Sequence, residues 1–202
     1  MSVVIGADGV VRCWWCGDDP TYVAYHDDEW GQPLRDERSL FELLCLEAFQ
    51  AGLSWITILR KRGAFREGFE RFEPSAVAEY GAADIHRLLG DAGIVRHRGK
   101  IEATIANARA TLEVQEREGS LAALLWSYEP SPGPAPRSLA ELPATTPEST
   151  ALSRDLRRRS FRFVGPTTAY AAMQSLGLVD DHLADCYVRP AVEAEREALP
   201  RP

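Results

Sequence analysis

The chain is poor in the residues that bind soft metals or form disulfides, and it lacks any long apolar run. Its 202 residues include four cysteines and four histidines. No stretch approaches the roughly 20 apolar residues of a membrane-spanning helix, and the first residues lack the basic start and long apolar core of a signal peptide. We therefore expect a cytoplasmic protein with no membrane contact. In such a protein a cluster of cysteine and histidine favours a metal site over a disulfide.

The composition is that of an ordinary folded protein with an excess of negative charge. Hydrophobic residues make up 45% and charged residues 26% of the chain, and the length suits one domain or two small lobes. The net charge of −7 argues mildly against nucleic acid as a partner. The basic residues are nevertheless clustered, at 96–100 and 154–162. These clusters can form a local basic face, although each alone is typical of a solvated helix face.

The spacing of apolar residues predicts an all-α protein. Helical periodicity and capping residues predict helices over residues 36–50, 53–62, 84–89, 99–117, 147–159, 167–176 and 181–194. Asp36 and Thr146 are the predicted N-caps of two of them. No segment alternates convincingly as a strand would, and residues 129–137 are predicted to form a proline-rich surface loop.

The candidate metal ligands lie at opposite ends of the chain. His182 and Cys186 are four residues apart, so on a helix both side chains would project from one face. Cys13 and His26 could supply the other ligands of a closed, structural Cys2His2 zinc site that joins the two ends. Chance spacing is one alternative. Cys13 and Cys16 also form a C-x-x-C pair, so a redox pair or a site that uses Cys16 is another.

Aromatic residues are concentrated near the start of the chain. Five of them lie between residues 14 and 30, namely Trp14, Trp15, Tyr22, Tyr25 and Trp30. Glycine and proline occur in the same stretch, so we predict an irregular, turn-rich segment. Its rings could line a pocket for a planar ligand. The alternative is that the rings fill the core beneath a loop.

Glu47 favours the pocket interpretation. On the predicted helix 36–50 it falls in register with Leu40 and Leu44, on the apolar side. A buried carboxylate needs a partner, a raised pKa or a ligand. Together with the aromatic rings and Trp55 it could recognise a purine, and a cationic purine would add Coulomb and cation–π attraction. A half-exposed glutamate in a salt bridge is the alternative.

Two glycine-containing turns precede helices and lie beside basic residues. They cover residues 164–169 and 92–100. Backbone N–H groups at a helix N-terminus, with a cation nearby, form an anion site suited to a DNA phosphate. Such turns are common in helical proteins, so each alone is weak evidence for DNA binding.

Four long sequence segments resemble the DNA-3-methyladenine glycosylase I family, which is a branch of the helix-hairpin-helix DNA glycosylases. They are RCWWCGDDPTYVAYHDDEWG (12–31), CLEAFQAGLSWITILRKR (45–62), DAGIVRHRGKI (91–101) and FVGPTTAYAAMQSLGLVDDH (163–182). The match is collinear from about residue 12 to 187. It divides the chain into an N-terminal extension (1–11), a glycosylase domain (12–190) that contains the proline-rich loop, and a C-terminal tail (191–202).

The resemblance implies a helix-hairpin-helix glycosylase-like fold and assigns a role to each candidate residue. The implied zinc ligands are Cys13, His26, His182 and Cys186, which leaves Cys16 as an extra thiol. The implied base-binding residues are Trp15, Tyr22, Tyr25, Trp30, Glu47 and Trp55. The implied DNA-binding residues are Arg98, Lys100, Gly165, Thr167 and Thr168.

The function implied by the resemblance is base-excision repair. A monomeric enzyme would bind alkylated double-stranded DNA, flip the damaged nucleotide and hydrolyse the N-glycosidic bond of 3-methyladenine, with Glu47 as the catalytic residue. Asp181 is kept out of the catalytic set and is read as the N-cap of the last helix. One alternative is a damage sensor of the same fold that does not excise bases. Another is a zinc enzyme acting on small molecules, which four protein ligands on the metal would exclude.

Overall fold

The computed structural model describes residues 3–201, and within them the chain is almost entirely helical. Ten α-helices follow one another: α1 (Pro20–Asp28), α2 (Glu37–Gln50), α3 (Trp55–Gly68), α4 (Pro74–Ala78), α5 (Ala82–Gly90), α6 (Arg98–Glu118), α7 (Leu121–Trp126), α8 (Pro147–Arg158), α9 (Pro166–Ser175) and α10 (Arg189–Ala198). The predicted all-α class is confirmed. No helix of these residues is long and apolar enough to cross a membrane.

A two-stranded antiparallel hairpin precedes the helices and corrects the expectation that the chain has no strands. Strand β1 (Val3–Ile5) pairs with β2 (Val11–Cys13), and Val3 lies opposite Cys13. Three residues are too few for an alternating pattern to be recognised in the sequence. The hairpin places Cys13 in the interior, where it is 1% exposed.

Helix α1 lies where the sequence was expected to be irregular. Its N-cap is Asp19, whose carboxylate accepts hydrogen bonds from the backbone N–H groups of Thr21 and Tyr22, and Pro20 occupies the first helical position. An acidic cap followed by proline is a helix-start signal. The turn-rich interpretation was therefore wrong, and the Asp-Pro pair was the available evidence against it.

Helix α2 is the central helix and packs against α3, α6 and α9. Asp36 caps it as predicted, by accepting a hydrogen bond from the backbone N–H of Ser39 at 2.9 Å. Leu40 and Leu44 are buried on its inner side, and Glu47 is 3% exposed on the same side. The predicted register is confirmed.

Helices α8 and α9 form a helical hairpin through residues 159–165. Thr146 caps α8, as predicted from its sequence. The hairpin turn is fastened to α6 by Asn107, whose amide donates to the carbonyl of Arg162 and accepts from its N–H at 3.2 and 2.7 Å. Asn107 is fully buried, so the turn is held rigidly.

The last predicted helix, 181–194, was placed wrongly. Residues 181–188 form turns, and α10 begins at Arg189 with Pro190 in its first turn. A proline inside a helix removes a hydrogen bond and clashes with the carbonyl four residues earlier, so residues 181–194 cannot form one regular helix. Asp181 therefore caps no helix, and its Oδ2 accepts from Tyr170 and Gln174 at 2.6 and 2.7 Å.

Candidate functional site

The aromatic residues of the N-terminal segment and Glu47 surround one cavity of about 420 Å³. Helix α1 supplies Tyr22 and Tyr25, α2 supplies Glu47, and Trp55 is the first residue of α3. Trp15 comes from a 3-10 turn after β2, and Trp30 lies two residues beyond the end of α1. All six side chains expected to bind a base therefore line the same cavity.

The rings of this cavity pack edge-on or tilted rather than face to face. Trp15 lies 5.0 Å from Tyr22 and 4.9 Å from Trp30 between ring centroids, and Tyr25 lies 5.5 Å from Trp55. Tyr25, Trp30 and Trp55 are buried, whereas Trp15 is only half-buried. The packed rings form a firm apolar wall, and a flat ligand can lie against the ring faces that border the cavity.

Glu47 and Trp55 add polar atoms that lack partners. Glu47 Oε1 accepts a hydrogen bond from Ser175 Oγ at 3.0 Å. Within residues 3–201, Glu47 Oε2 and Trp55 Nε1 are buried without any hydrogen-bond partner. Burial raises the pKa of Glu47 to about 8, although the Ser175 hydroxyl opposes the shift. Buried polar atoms without partners are costly, so a ligand that offers both a donor and an acceptor fits this site.

Several lining residues were missed by sequence reasoning. Ser175 and Gln174 come from the C-terminal end of α9, and Gln50 ends α2. A segment after the proline-rich loop adds Leu139 and residues 142–144. These residues are remote from the aromatic segment in sequence, and none belongs to a recognisable local motif. The glycine-turn motif at 164–169 pointed to the start of α9 only.

The two glycine turns lie on one side of the molecule, as DNA binding would require. Phe163, just before Gly165, packs edge-on against His97, the N-cap of α6, with ring centroids 6.2 Å apart. Gly165 is the N-cap of α9, and Thr167 in its first turn is exposed. Thr168 follows in that turn and is half-buried, and the side chain of Arg98 at the start of α6 is exposed.

Lys100 does not fit its predicted contact with DNA. It is 6% exposed, and its ammonium group donates to the carbonyls of Phe49 and Ala51 at 2.8 and 2.7 Å. These carbonyls are at the C-terminal end of α2, where a cation stabilises the helix dipole. Its place in a basic sequence cluster suggested surface exposure, but helix periodicity turns its side chain inward.

The candidate metal centre joins the N-terminal hairpin, α1 and the turns before α10. One ligand atom each from Cys13, His26 and Cys186 lies within 4.8 Å of the others, and all three residues are buried. The ring of His182 lies beside them, 5.1 Å from that of His26. His182 and Cys186 reach this place from turns, which corrects the expected helical i,i+4 arrangement.

The chemistry of these four side chains suits zinc. His26 and His182 each place Nδ1 within hydrogen-bond distance of a neighbouring carboxylate, Asp27 at 2.7 Å and Asp180 at 2.9 Å. That contact holds the proton on Nδ1, so Nε2 carries the lone pair that can bind a metal. In the described part of the chain, His182 Nε2 is buried without a partner. The hydrogen bond between the two thiols lowers the pKa of Cys186 and raises that of Cys13, so Cys186 is the cysteine favoured as the thiolate that zinc requires.

Comparison with known proteins identifies the family. Residues 15–189 match the methyladenine glycosylase family. The chain belongs to this family. It is 48% identical to DNA-3-methyladenine glycosylase 1 of Escherichia coli (strain K12) over 182 residues, which are 89% of this chain and 97% of that protein. It is 46% identical to DNA-3-methyladenine glycosylase of Haemophilus influenzae, over 87% of this chain and 96% of that protein.

Solved structures of methyladenine glycosylases have the same fold. A crystal structure of 3-methyladenine DNA glycosylase I superposes with a TM-score of 0.86 at 48% identity, over 89% of this chain and 100% of that one. The Staphylococcus aureus glycosylase, studied for its recognition of 3-methyladenine, gives 0.84 at 41% identity, over 89% and 96%. The predicted helix-hairpin-helix glycosylase-like fold is thus confirmed. The roles of individual residues, which the family resemblance implies, stay predictions.

Proposed function

We propose that this methyladenine glycosylase is a base-excision-repair enzyme that hydrolyses the N-glycosidic bond of 3-methyladenine in alkylated double-stranded DNA. The observation that carries the proposal is Glu47, a buried carboxyl group with one unpartnered oxygen beside an aromatic cavity of about 420 Å³. A flipped purine offers flat faces to the rings and ring-edge donors to the carboxylate.

The charge of the methylated base explains why this site needs few catalytic groups. Methylation at N3 makes the adenine cationic, so the base already leaves readily. Ionised Glu47 attracts that cation, and the surrounding rings shield the interaction from water. When the glycosidic bond breaks, the base keeps the bonding electron pair and departs neutral. Water then adds to the sugar carbon and releases a proton. Methylated lesions also stack less firmly, which lowers the cost of flipping.

The hairpin face is the proposed contact with the DNA backbone. Backbone N–H groups at the start of α9, around Gly165, Thr167 and Thr168, suit a phosphate. Arg98 adds an exposed cation near the other turn. We expect a monomer, because one hairpin and one pocket suffice to bind one lesion, and we expect it to act in the cytoplasm.

Zinc is the proposed occupant of the Cys13, His26, His182 and Cys186 cluster. Four protein ligands would fill a tetrahedral zinc and leave no position for substrate, so the metal would be structural. Its role would be to fix the N-terminal hairpin and the turns before α10 against α1, which carries Tyr22 and Tyr25.

The test is release of bases from methylated duplex DNA, with the products resolved by chromatography. The wild-type protein should release free 3-methyladenine and leave 7-methylguanine in the DNA. Glu47→Ala should lower kcat/KM by about a hundredfold or more, because it removes the charge that recognises the cation. Glu113→Ala, which removes an exposed carboxylate of α6, is the matched control and should keep full activity.

The same experiment separates the enzyme from a damage sensor. Wild-type protein that binds methylated DNA, contains its metal and releases no base would overturn the proposed hydrolysis. Equal activity of the wild type and Glu47→Ala would remove Glu47 from its assigned role.

A further inference from the structure

Ser175 connects the DNA-facing hairpin to the carboxyl group in the pocket. It is the last residue of α9, a helix of ten residues that begins at the hairpin turn. Ten helical residues span about 15 Å, so one rigid element runs from the proposed phosphate site to the pocket. Ser175 lines the pocket and also an adjoining cavity of about 260 Å³.

The hydroxyl of Ser175 lies between two buried polar groups. It accepts a hydrogen bond from the Tyr25 hydroxyl at 3.1 Å and donates one to Glu47 Oε1 at 3.0 Å. A serine hydroxyl has a single proton, so while Tyr25 donates, that proton goes to Glu47. The Tyr25 hydroxyl is the donor in its contact with Ser175, so the chain of hydrogen bonds runs from Tyr25 through Ser175 to Glu47.

The chain distinguishes the two oxygens of the carboxyl group. Oε1 is held by Ser175, whereas Oε2 has no partner within residues 3–201. We propose that Ser175 is a positioning residue for the reaction: it fixes the Glu47 carboxylate so that Oε2 is left for the flipped cationic base. The inference rests on the proposed function, because it assigns a role to the carboxylate that recognises the base.

Few other groups could set the charge of Glu47. Helix α1 contributes the phenols of Tyr22 and Tyr25, and both have pKa values raised by burial, so they stay neutral. Helix α3 contributes Trp55, which does not ionise, and the end of α9 contributes Ser175 with the neutral amide of Gln174. Burial raises the pKa of Glu47, and the Ser175 hydroxyl is the group that lowers it.

Loss of the hydroxyl should therefore move the pH at which the enzyme becomes active. The pH dependence of kcat/KM reports ionisation in the free enzyme, so wild-type kcat/KM should rise with pH as Glu47 ionises, near pH 8. A hydrogen bond to a charged group contributes enough to shift a pKa by about one unit. Ser175→Ala should move the rise upward by about one pH unit and lower kcat/KM about tenfold at pH 7.

The experiment is release of 3-methyladenine with the enzyme well below saturation, so that the rate reports kcat/KM, from pH 6 to about 9.5. It compares the wild type, Ser175→Ala, Ser175→Thr and Glu47→Gln. Ser175→Thr keeps the hydroxyl, and the adjoining cavity offers space for the methyl group, so it should restore the wild-type profile. Glu47→Gln should lose the rise with pH. Alanine is the best helix former, so Ser175→Ala should fold, and thermal unfolding of each variant checks this.

Two results would overturn the inference. One is a Ser175→Ala protein whose kcat/KM rises at the same pH as that of the wild type, even if its kcat/KM is lower by a constant factor at every pH. The other is Ser175→Thr behaving like Ser175→Ala. Failure of the proposed function looks different, since wild-type protein would then release no 3-methyladenine at any pH.

Discussion

Glu47 is a carboxyl group that is only 3% exposed, so water solvates its charge poorly. Burial raises its pKa from 4.5 to about 8, so near neutral pH the empty pocket favours the protonated form. A cationic base reverses that preference, because its charge is attracted to the carboxylate in a medium of low dielectric constant. A neutral adenine brings no such energy. The burial of Glu47 thus favours binding of the cationic lesion over binding of neutral adenine.

The raised pKa of Glu47 also makes folding depend on pH. Below the unfolded-state pKa of 4.5 the group is protonated in both states. Between 4.5 and 8 it ionises only in the unfolded chain, so the native state loses stability as pH rises, and above 8 the loss is complete. Glu47→Gln cannot ionise, so the wild type should lose about 1 kcal/mol per pH unit relative to it across this window.

Urea unfolding of both proteins at pH 5, 6.5 and 8 measures this difference. Ser175→Ala, which keeps the titrating group, should show the same trend as the wild type. A difference between wild type and Glu47→Gln that stays constant with pH would show that the carboxyl group is not buried in the way described.

Residues whose role depends on a contact far away in the chain could not be predicted from the sequence. Glu47 could be predicted because its register with Leu40 and Leu44 lies within one helix. Ser175 could not, because it is 128 residues away in the chain from the carboxylate it contacts. No helical periodicity or short motif encodes that distance. The contact depends on how α9 packs against α2.

At the scale of helices, caps were predictable and burial within charged clusters was not. Asp36 and Thr146 are caps because their side chains bond to backbone groups only three residues away. Pro190 limits the last helix for an equally local reason. Lys100 instead depends on the tertiary fold, because its ammonium reaches the carbonyl end of another helix.

Lys100 and Arg98 should therefore respond differently to substitution. Lys100→Met keeps the length of the side chain but removes the donor to two carbonyls. It should lower the free energy of unfolding by about 2 kcal/mol and leave the salt dependence of DNA binding unchanged. Arg98→Ala should weaken DNA binding and reduce the slope of log affinity against log salt by about one, if Arg98 neutralises a phosphate.

Urea unfolding and binding titrations at several salt concentrations measure both effects. Arg117→Ala is the control, because Arg117 is exposed on the same helix but in its last turn. A reduced salt slope in Lys100→Met would restore Lys100 to the DNA interface. An unchanged slope in Arg98→Ala would remove Arg98 from it.

At the scale of the whole molecule, a net charge of −7 coexists with a proposed DNA-binding face. The two glycine turns and Arg98 lie on that face, where Arg98 pairs with Glu102 at 3.4 Å. Other acidic side chains are engaged in ion pairs, such as Asp27 with Arg12 and Glu129 with Arg196. The proposed contact with DNA therefore depends on where the charged side chains lie and not on their sum.

Residues near the start of the chain, Cys13 and His26, meet Cys186 at the candidate metal centre, and we expect this contact to support the aromatic pocket. Trp15 lies 5.2 Å from the ring of His26, and Trp30 lies 4.6 Å from that of His182.

Cys186→Ser should lower bound zinc, reduce the melting temperature and weaken base release, because its effect passes through His26 and His182 to both rings. Metal analysis, thermal unfolding and base release measure these changes. Cys16→Ser is the control: Cys16 is buried nearby, but its thiol donates to the backbone carbonyls of Cys13 and Gly17, so zinc content should stay intact. Full zinc content in Cys186→Ser, or an equal loss in Cys16→Ser, would contradict the proposed ligand set.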